Sequence, residues 1–281
     1  MTRRRGGHVA IALAGAMGLP AILSNFLTLL DQPRRDFLAW HYLRLGQRQL
    51  ALRPMDRRTA SRQLRRAVEL GRREPELLSQ AAKLLMVCED YQAALDAMRQ
   101  GPPASLDDRL TYAHCLLMTG RSEDGARLIF MVTALAQAER RQGLMSASAF
   151  ATLMNNAGYA LVEGGVHIEA ALRMTAAAVA LAPLQPAFCD SHGWALYKLE
   201  RVQEARFWLE RAVRHQLPRP DPVLLYHLGA VYADARRPED ARRMLRWAMA
   251  LDPARKEAET LLRHLDRLLP PPALAVLSGR A

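Results

Sequence analysis

The chain has 281 residues, of which 50% are hydrophobic and only 6% aromatic, and it carries a formal net charge of +11. Its cysteines, Cys88, Cys115 and Cys189, are far apart and form no CxxC pair, which excludes a disulfide framework and a cysteine-based zinc site. The positive charge is concentrated in residues 1–75, which hold 15 arginines against five acidic residues. Abundant alanine and leucine favour helices over sheet.

The first predicted element is an apolar helix at the N-terminus. Val9–Leu30 runs for 22 residues without a formal charge and follows the basic segment Arg3–Arg5. A helix of this length spans about 33 Å at about 1.5 Å per residue, enough for a hydrocarbon core of about 30 Å. We therefore predict that residues 1–30 form an uncleaved signal anchor. A cleaved signal peptide and a peripheral or buried apolar helix remain alternatives, although a cut after Ala16 would leave a very short apolar region ahead of it.

The charges on both sides of this segment bear on its orientation and on its partner. Arg3–Arg5 favour a cytoplasmic N-terminus, whereas Arg34, Arg35, Arg44 and Arg48 favour the opposite orientation. Because the first flank usually decides, we predict a single-pass protein of the inner (cytoplasmic) membrane whose remaining residues lie in the periplasm, with the cytoplasmic side as the alternative. Basic residues next to an apolar segment predict a phospholipid surface, and no nucleic acid, as their partner.

Residues 31–142 predict three divergent helical pairs. Apolar residues at helical spacing occur twice in each of the stretches 31–71, 75–100 and 107–142. Turn residues separate the stretches, including Gly101-Pro-Pro. The second helix of the third pair is expected to be long.

Residues 150–253 contain three clear copies of one helical pair. In the last copy, the apolar residues fall on two helical stripes that a polar turn separates, and Asp252-Pro253 ends the second helix. Pro238 suits the first turn of that helix. The two stripes consist of Leu225, Leu228, Gly229, Tyr232, Ala241, Leu245 and Ala248.

Small residues recur in these copies at nearly constant intervals. Gly158, Gly193 and Gly229 recur on the first helix, and Ala171 and Ala205, which are 34 residues apart, recur on the second. Small side chains allow two helices to cross closely. The pattern resembles the tetratricopeptide repeat, a family of helical pairs with this period. The resemblance implies an all-α fold, an α-solenoid of stacked antiparallel helix pairs preceded by the apolar N-terminal helix.

The C-terminal residues predict a cap and a tail. Residues 254–269 follow the pattern of an amphipathic helix, whose charged face can cover the end of the array because terminal repeats need a polar outer surface. Three prolines beginning at Pro270 end this helix. Residues 270–281 are expected to form a loose tail.

The resemblance also implies a binding surface. In tetratricopeptide proteins, the first helices of successive repeats line a concave groove that holds a peptide or a partner helix, so we expect a protein or peptide partner. Aromatic side chains often contribute much of the energy of such an interface. The alternative for Trp194 and Tyr159, each of which adjoins a repeat glycine, is packing between repeats. The predicted groove residues are Asn155, Tyr159, Asp190, Trp194, Tyr197, Lys198 and Tyr226.

The sequence lacks the common catalytic motifs, with no GxGxxG, P-loop, HExxH or GxSxG pattern. We therefore expect no enzyme activity, no cofactor and no metal site. The eight histidines are scattered, and His192 and His227 are expected to pack beside repeat glycines. Glu163 and Glu169 flank a glycine turn, where we expect solvated charges.

Two functional classes remain open. The combination of an anchor with these repeats resembles bacterial cell-envelope proteins, and this resemblance implies a membrane-anchored scaffold in envelope assembly or export, such as polysaccharide secretion or pilus assembly. The alternative is a soluble adaptor or regulator whose apolar N-terminus packs on its own repeats. Membrane fractionation separates the two classes.

Overall fold

The structure, a computed structural model, describes residues 19–52 and 54–269, with side chains from Asp31 onward. This part of the chain contains thirteen α-helices and no strand. Residues 1–18 and 270–281, and with them part of the predicted anchor and the predicted tail, lie outside the described residues. The helices are α1 Leu19–Ala51, α2 Arg57–Leu70, α3 Pro75–Val87, α4 Tyr91–Gln100, α5 Leu106–Met118, α6 Ser122–Arg141, α7 Ala147–Glu163, α8 Ile168–Leu181, α9 Pro186–Lys198, α10 Val202–Gln216, α11 Pro222–Asp234, α12 Pro238–Leu251 and α13 Lys256–Leu268.

The helices pack as antiparallel pairs that stack along the chain. The most extensive contacts join α1 with α2, α3 with α4, α5 with α6, α7 with α8, α9 with α10 and α11 with α12, and each pair also packs on the next. Helix α13 contacts α12 and α11 at the end of the array. Three core clusters follow one another along the stack, as expected when each repeat packs mainly on its neighbours. The predicted all-α solenoid is therefore confirmed for the described residues.

Helix α1 extends from the predicted anchor into the first pair. It begins at Leu19, continues through Pro33 and ends at Ala51, so no helix end occurs at residue 31. The first helix of the array is therefore the direct continuation of residues 19–30. Among the described residues, no helix combines the length with the sustained apolarity of a membrane span.

Local sequence signals determine where the helices begin. Proline occupies the first turn of α3, α9, α11 and α12, where its missing N–H costs no hydrogen bond. At α5, the Ser105 hydroxyl accepts a hydrogen bond from the Asp108 N–H at 3.0 Å, and the Asp108 carboxylate accepts one from the Ser105 N–H at 3.4 Å. The position predicted for Pro238, at the start of a second helix, is confirmed.

Glycine permits the closest helix contact within a pair. A Cβ atom on Gly158 would lie 2.8 Å from the Ala171 carbonyl oxygen and 2.7 Å from Thr175 Cγ2, so α7 and α8 touch through backbone there. A Cβ atom on Gly229 would instead lie nearest to side-chain carbons of Leu245, at 2.9 Å. The predicted close crossings are confirmed at both positions. At Gly158, only glycine fits without a shift of the backbone.

The two ends of the described array meet. Met55, in the turn between α1 and α2, donates a backbone hydrogen bond to the Leu251 carbonyl at the end of α12, with 3.1 Å between nitrogen and oxygen. Beside it, Arg57 Nη2 lies 2.8 Å from Asp252 Oδ2. Contact between residues so distant in sequence shows that the solenoid completes a closed turn.

A group of mostly buried charges holds this contact. Arg57 also pairs with Glu89, whose carboxylate lies 3.4 Å from Arg255 Nη2, and Arg255 Nε lies 3.5 Å from Asp252 Oδ2. We call Arg57, Glu89, Asp252 and Arg255 the closing bridge. The Asp252 side chain is 0% exposed, and its carboxylate has ion pairs but no hydrogen bond of good geometry. Its attraction to the two guanidinium groups must therefore offset its desolvation.

Removal of this buried carboxylate should destabilise the fold. Asp252→Ala would leave Arg57 and Arg255 partly uncompensated in the interior, and we expect a loss of about 3 kcal/mol in the free energy of unfolding. Glu69→Ala, which breaks the exposed pair with Arg66, is the matched control and should change little. Urea unfolding followed by circular dichroism measures both variants. Equal losses would show that the closing bridge does not stabilise the array.

Added methyl groups should distinguish the two glycine crossings. Gly158→Ala must move backbone and should cost about 1–3 kcal/mol of unfolding free energy. Gly229→Ala meets mainly the flexible Leu245 side chain, and the better helix propensity of alanine, about 1 kcal/mol, offsets much of that strain. Thermal unfolding should therefore give a clearly lower melting temperature for Gly158→Ala. The reverse order would contradict the contact geometry.

Candidate functional site

The curved array surrounds a cavity of about 750 Å³. Its walls combine residues of the closing bridge, of the middle pairs and of the start of α13. This volume falls in the usual range of ligand sites, about 300–1,000 Å³. The cavity is therefore the candidate functional site.

Three tyrosines from three different pairs face the cavity: Tyr91 on α4, Tyr159 on α7 and Tyr226 on α11. None of their hydroxyl groups has a hydrogen-bond partner within the described residues, and none of these oxygens is sealed off from solvent. The hydroxyls of Tyr197 and Tyr232 differ, because each donates a hydrogen bond to a carboxylate, at 2.8 and 3.0 Å. The three cavity hydroxyls are thus free to bind a ligand.

The same two charges act on all three cavity tyrosines. Burial raises the pKa of each hydroxyl, the negative charge of Glu163 raises the pKa further, and the positive charge of Arg255 lowers it. The net rise in pKa keeps the hydroxyls protonated, so each can both donate and accept a hydrogen bond. All three hydroxyls are therefore neutral hydrogen-bonding groups on the wall of one cavity.

Glu163, the last residue of α7, also lines the cavity. Its Oε1 accepts a hydrogen bond from Trp194 Nε1 at 3.0 Å. The side chain is half-buried and forms no ion pair within the part of the chain that the structure describes. Glu163 is thus less exposed than the prediction of a solvated charge implies, because Trp194 of the next pair packs beside the end of α7. Glu169 is exposed.

Trp194 packs between repeats. It is 3% exposed, and its ring stacks on His227 of the next pair at 3.9 Å and on Tyr197 at 4.9 Å between ring centroids. The Lys198 ammonium lies 4.5 Å from its ring centroid. His227 is buried and contacts Asp190 Oδ1 through Nδ1 at 2.8 Å. Of the two alternatives for Trp194, the structure favours packing, although the ring also lines the cavity.

Four of the seven residues predicted for the groove line the cavity: Tyr159, Trp194, Lys198 and Tyr226. Trp194 and Tyr226 are in contact, with ring centroids 5.9 Å apart. Tyr159 instead contacts His114, with 6.0 Å between ring centroids. The aromatic side chains therefore form two groups on the cavity wall. That they bind a partner stays a prediction.

The other three predicted residues do not line the cavity. Asn155 is 5% exposed and donates a hydrogen bond to Asn156, which lines the cavity in its place. Asp190 is paired with His227, and the Tyr197 hydroxyl donates to a carboxylate on α11. Neighbouring helical residues point about 100° apart. Residue spacing alone did not reveal which of two adjacent positions faces the cavity.

His114 on α5 is an unpartnered polar group of the cavity wall. It is 9% exposed, its ring lies between those of Tyr91 and Tyr159, and its Nε2 has no hydrogen-bond partner in the described residues. Burial lowers the pKa of His114 to about 4, so the ring is neutral at physiological pH. A ligand that reached this nitrogen would satisfy a buried polar atom.

The repeat pattern did not predict the part of the site that comes from the divergent pairs. His114 directly follows the small residue Ala113, just as Tyr159 and Trp194 directly follow repeat glycines. The position after the small residue could therefore have identified His114 as a cavity residue. Tyr91 is different, because it opens a second helix and has no equivalent on the predicted face. The closing bridge has no local sequence signal at all.

Comparisons with known proteins give no family model and no curated protein that matches this chain. Among solved structures, PilW, described as a widely conserved type IV pilus biogenesis factor, has 15% identity and a TM-score of 0.49, with 82% of this chain and 98% of that chain covered. The thermophilic TPR protein TTC0263 of Thermus thermophilus has 16% identity and a TM-score of 0.42, with 81% and 98% covered. YrrB, described as a TPR protein with an unusual peptide-binding site, has 17% identity and a TM-score of 0.40, with 71% and 97% covered. Similarities this low assign neither a family nor a function to this chain.

The free energy of unfolding should depend on pH because His114 is buried. The unfolded chain takes up a proton near pH 6.5 and the folded chain only near pH 4, so the stability that the neutral ring contributes is full above about pH 6.5. It declines as the pH falls towards 4, by up to about 1.4 kcal/mol per pH unit. His114→Phe removes this dependence, so the unfolding free energy of the wild type should fall relative to that of the variant.

Denaturant unfolding between about pH 7 and pH 5 measures this difference. The control is His264→Gln, at an exposed position on α13, whose curve should run parallel to that of the wild type. A constant difference between wild type and His114→Phe over this range would mean that His114 is not buried in the folded chain.

Proposed function

We propose that this chain is a non-enzymatic scaffold that binds an extended peptide segment of a protein partner in the cavity. The proposal rests on the three tyrosine hydroxyls, from three pairs, that face one cavity without a partner in the described residues. Unpaired polar groups on a concave wall favour a ligand with hydrogen-bond donors and acceptors along its length. A peptide backbone offers both at almost every residue.

The closing bridge favours an extended segment over a helix or a folded domain. Arg57, Glu89 and Arg255 belong both to the bridge and to the cavity wall. Because these side chains join the two ends of the array and also line the cavity, a bulky partner would have to displace them. An extended chain is narrower than an α-helix of about 10–12 Å diameter and needs less rearrangement of the bridge.

Loss of the three cavity hydroxyls tests the proposal. In the triple variant Tyr91→Phe, Tyr159→Phe and Tyr226→Phe every ring remains, so the melting temperature should stay near that of the wild type. Peptides selected on the full-length wild type from a random display library should bind the variant at least about tenfold more weakly, because each lost hydrogen bond contributes about 0.5–1.5 kcal/mol. Fluorescence polarisation measures the dissociation constants.

The matched control is Tyr232→Phe, whose hydroxyl bonds Glu210 outside the cavity. This variant should lose about 1 kcal/mol of stability and keep its affinity for the selected peptides. The proposal fails if no peptide is selected on the wild type, or if the triple variant binds the selected peptides as tightly as the wild type does.

We extend the proposal to anchoring in the inner membrane, with the array on the periplasmic side and a role in envelope assembly or export. Support comes from the uncharged run Val9–Leu30 and from α1, which continues from Leu19 into the array without a break. Arg34 and Arg35 are exposed on this helix, close to the end of the apolar run, where basic side chains favour phospholipid headgroups.

Cell fractionation tests the anchor. The full-length chain should pellet with membranes and resist carbonate extraction, whereas a chain that begins at Asp31 should stay in the soluble fraction. In spheroplasts, external protease should reach a tag at the C-terminus. Full-length protein in the soluble fraction would support the soluble adaptor instead, and protection of the tag would support the cytoplasmic orientation.

A further inference from the structure

The cavity wall is acidic, although the chain as a whole is basic. Five carboxylates and four cationic side chains line the cavity. Two further carboxylates lie directly on these cations, Asp108 at 3.2 Å from Lys83 and Asp252 at 2.8 Å from Arg57. Seven carboxylates thus accompany four cations, in a chain with a net charge of +11. This inversion of sign favours a ligand that carries positive charge.

Glu163 is the cavity carboxylate best placed to bind a cation. Arg57 and Arg255 are committed to the closing bridge, and Lys83 lies between two other carboxylates. Glu163 has one hydrogen bond, from Trp194, and no ion pair in the described part of the chain. Within the described residues, this half-buried carboxylate therefore remains available to form an ion pair with a cationic ligand.

Aromatic rings lie beside the same carboxylate on the cavity wall. Tyr159 precedes Glu163 by four residues on α7, so the two side chains lie on one face of the helix. Trp194, which donates to Glu163, has its ring centroid 5.9 Å from that of Tyr226, and Tyr91 lines the same cavity. Cations bind over the faces of such rings within about 6 Å of the centroid. His114, with its unpaired Nε2, lies between two of these tyrosines and adds a neutral hydrogen-bonding group. Carboxylate, ring faces and hydroxyls together suit a guanidinium or ammonium group.

We propose that Glu163 and the three cavity tyrosines form a subsite for a basic side chain, arginine or lysine, of the bound peptide. This inference rests on the proposed function, since the peptide supplies the cation. Lys198 is the internal competitor for this subsite. Its ammonium lies 4.5 Å from the centroid of the Trp194 ring and forms no ion pair among the described residues. Trp194 in turn donates to Glu163, so Lys198 and the carboxylate contact the same side chain.

Selection of peptides on charge variants tests the subsite. A random library of short displayed peptides is selected in parallel on the full-length wild type and on three variants, Glu163→Gln, Glu169→Gln and Lys198→Gln. Glutamine at position 163 can still accept the hydrogen bond from Trp194, so only the charge is lost. Glu169 is exposed on α8 outside the cavity, so its variant controls for the change in net charge.

We expect the wild type and Glu169→Gln to enrich arginine or lysine at one peptide position. Such a peptide should bind the wild type roughly tenfold more tightly than its norleucine counterpart, the effect of about one charge-assisted hydrogen bond. This preference should disappear on Glu163→Gln. Lys198→Gln should strengthen the preference, because it removes the competitor.

The outcomes separate this inference from the proposed function. Peptides that bind the wild type with no preference for a basic residue, or with a preference that Glu163→Gln retains, would overturn the subsite and leave peptide binding intact. Failure to select any peptide on the wild type would refute peptide binding, and the subsite with it.

Discussion

Small residues at the helix crossings set the distance between the two helices of a pair, and the repetition of that contact sets the curvature of the stack. At Gly158, α7 rests on the backbone of α8 with no room for a methyl group. The stack turns until the loop after α1 reaches the end of α12. The cavity depends on this curvature, because its wall combines residues from the first, middle and last helices.

The closing bridge and the cavity use charge in opposite ways. In the bridge, Arg57 and Arg255 compensate the buried Asp252 carboxylate, and the result is cohesion between the ends of the array. In the cavity, Glu163 keeps no counter-ion and three tyrosine hydroxyls keep no partner among the described residues. The proposed peptide site rests on these groups, which solvent reaches and a ligand could bind.

The fold was predictable from the sequence because its determinants are local. The spacing of Ala171 and Ala205 and the recurrence of glycine define each pair within about 34 residues, so the solenoid follows from neighbouring contacts. The site was predictable only in part. Helical spacing correctly placed Tyr159 and Tyr226 on the cavity wall. It could not distinguish Asn155, which does not line the cavity, from its neighbour Asn156, which does. The bridge depends on rotation accumulated over six pairs, and no single segment encodes it.

The hydrogen bond between Met55 and Leu251 also has a consequence for how this protein can change in length. An open solenoid can gain or lose a unit with local effects only, because each unit touches only its neighbours. Here an inserted or deleted pair would rotate the last helices away from the α1–α2 turn and separate Arg57 from Asp252. The array therefore resembles a ring of fixed circumference, and duplication of one unit would break it open rather than extend it.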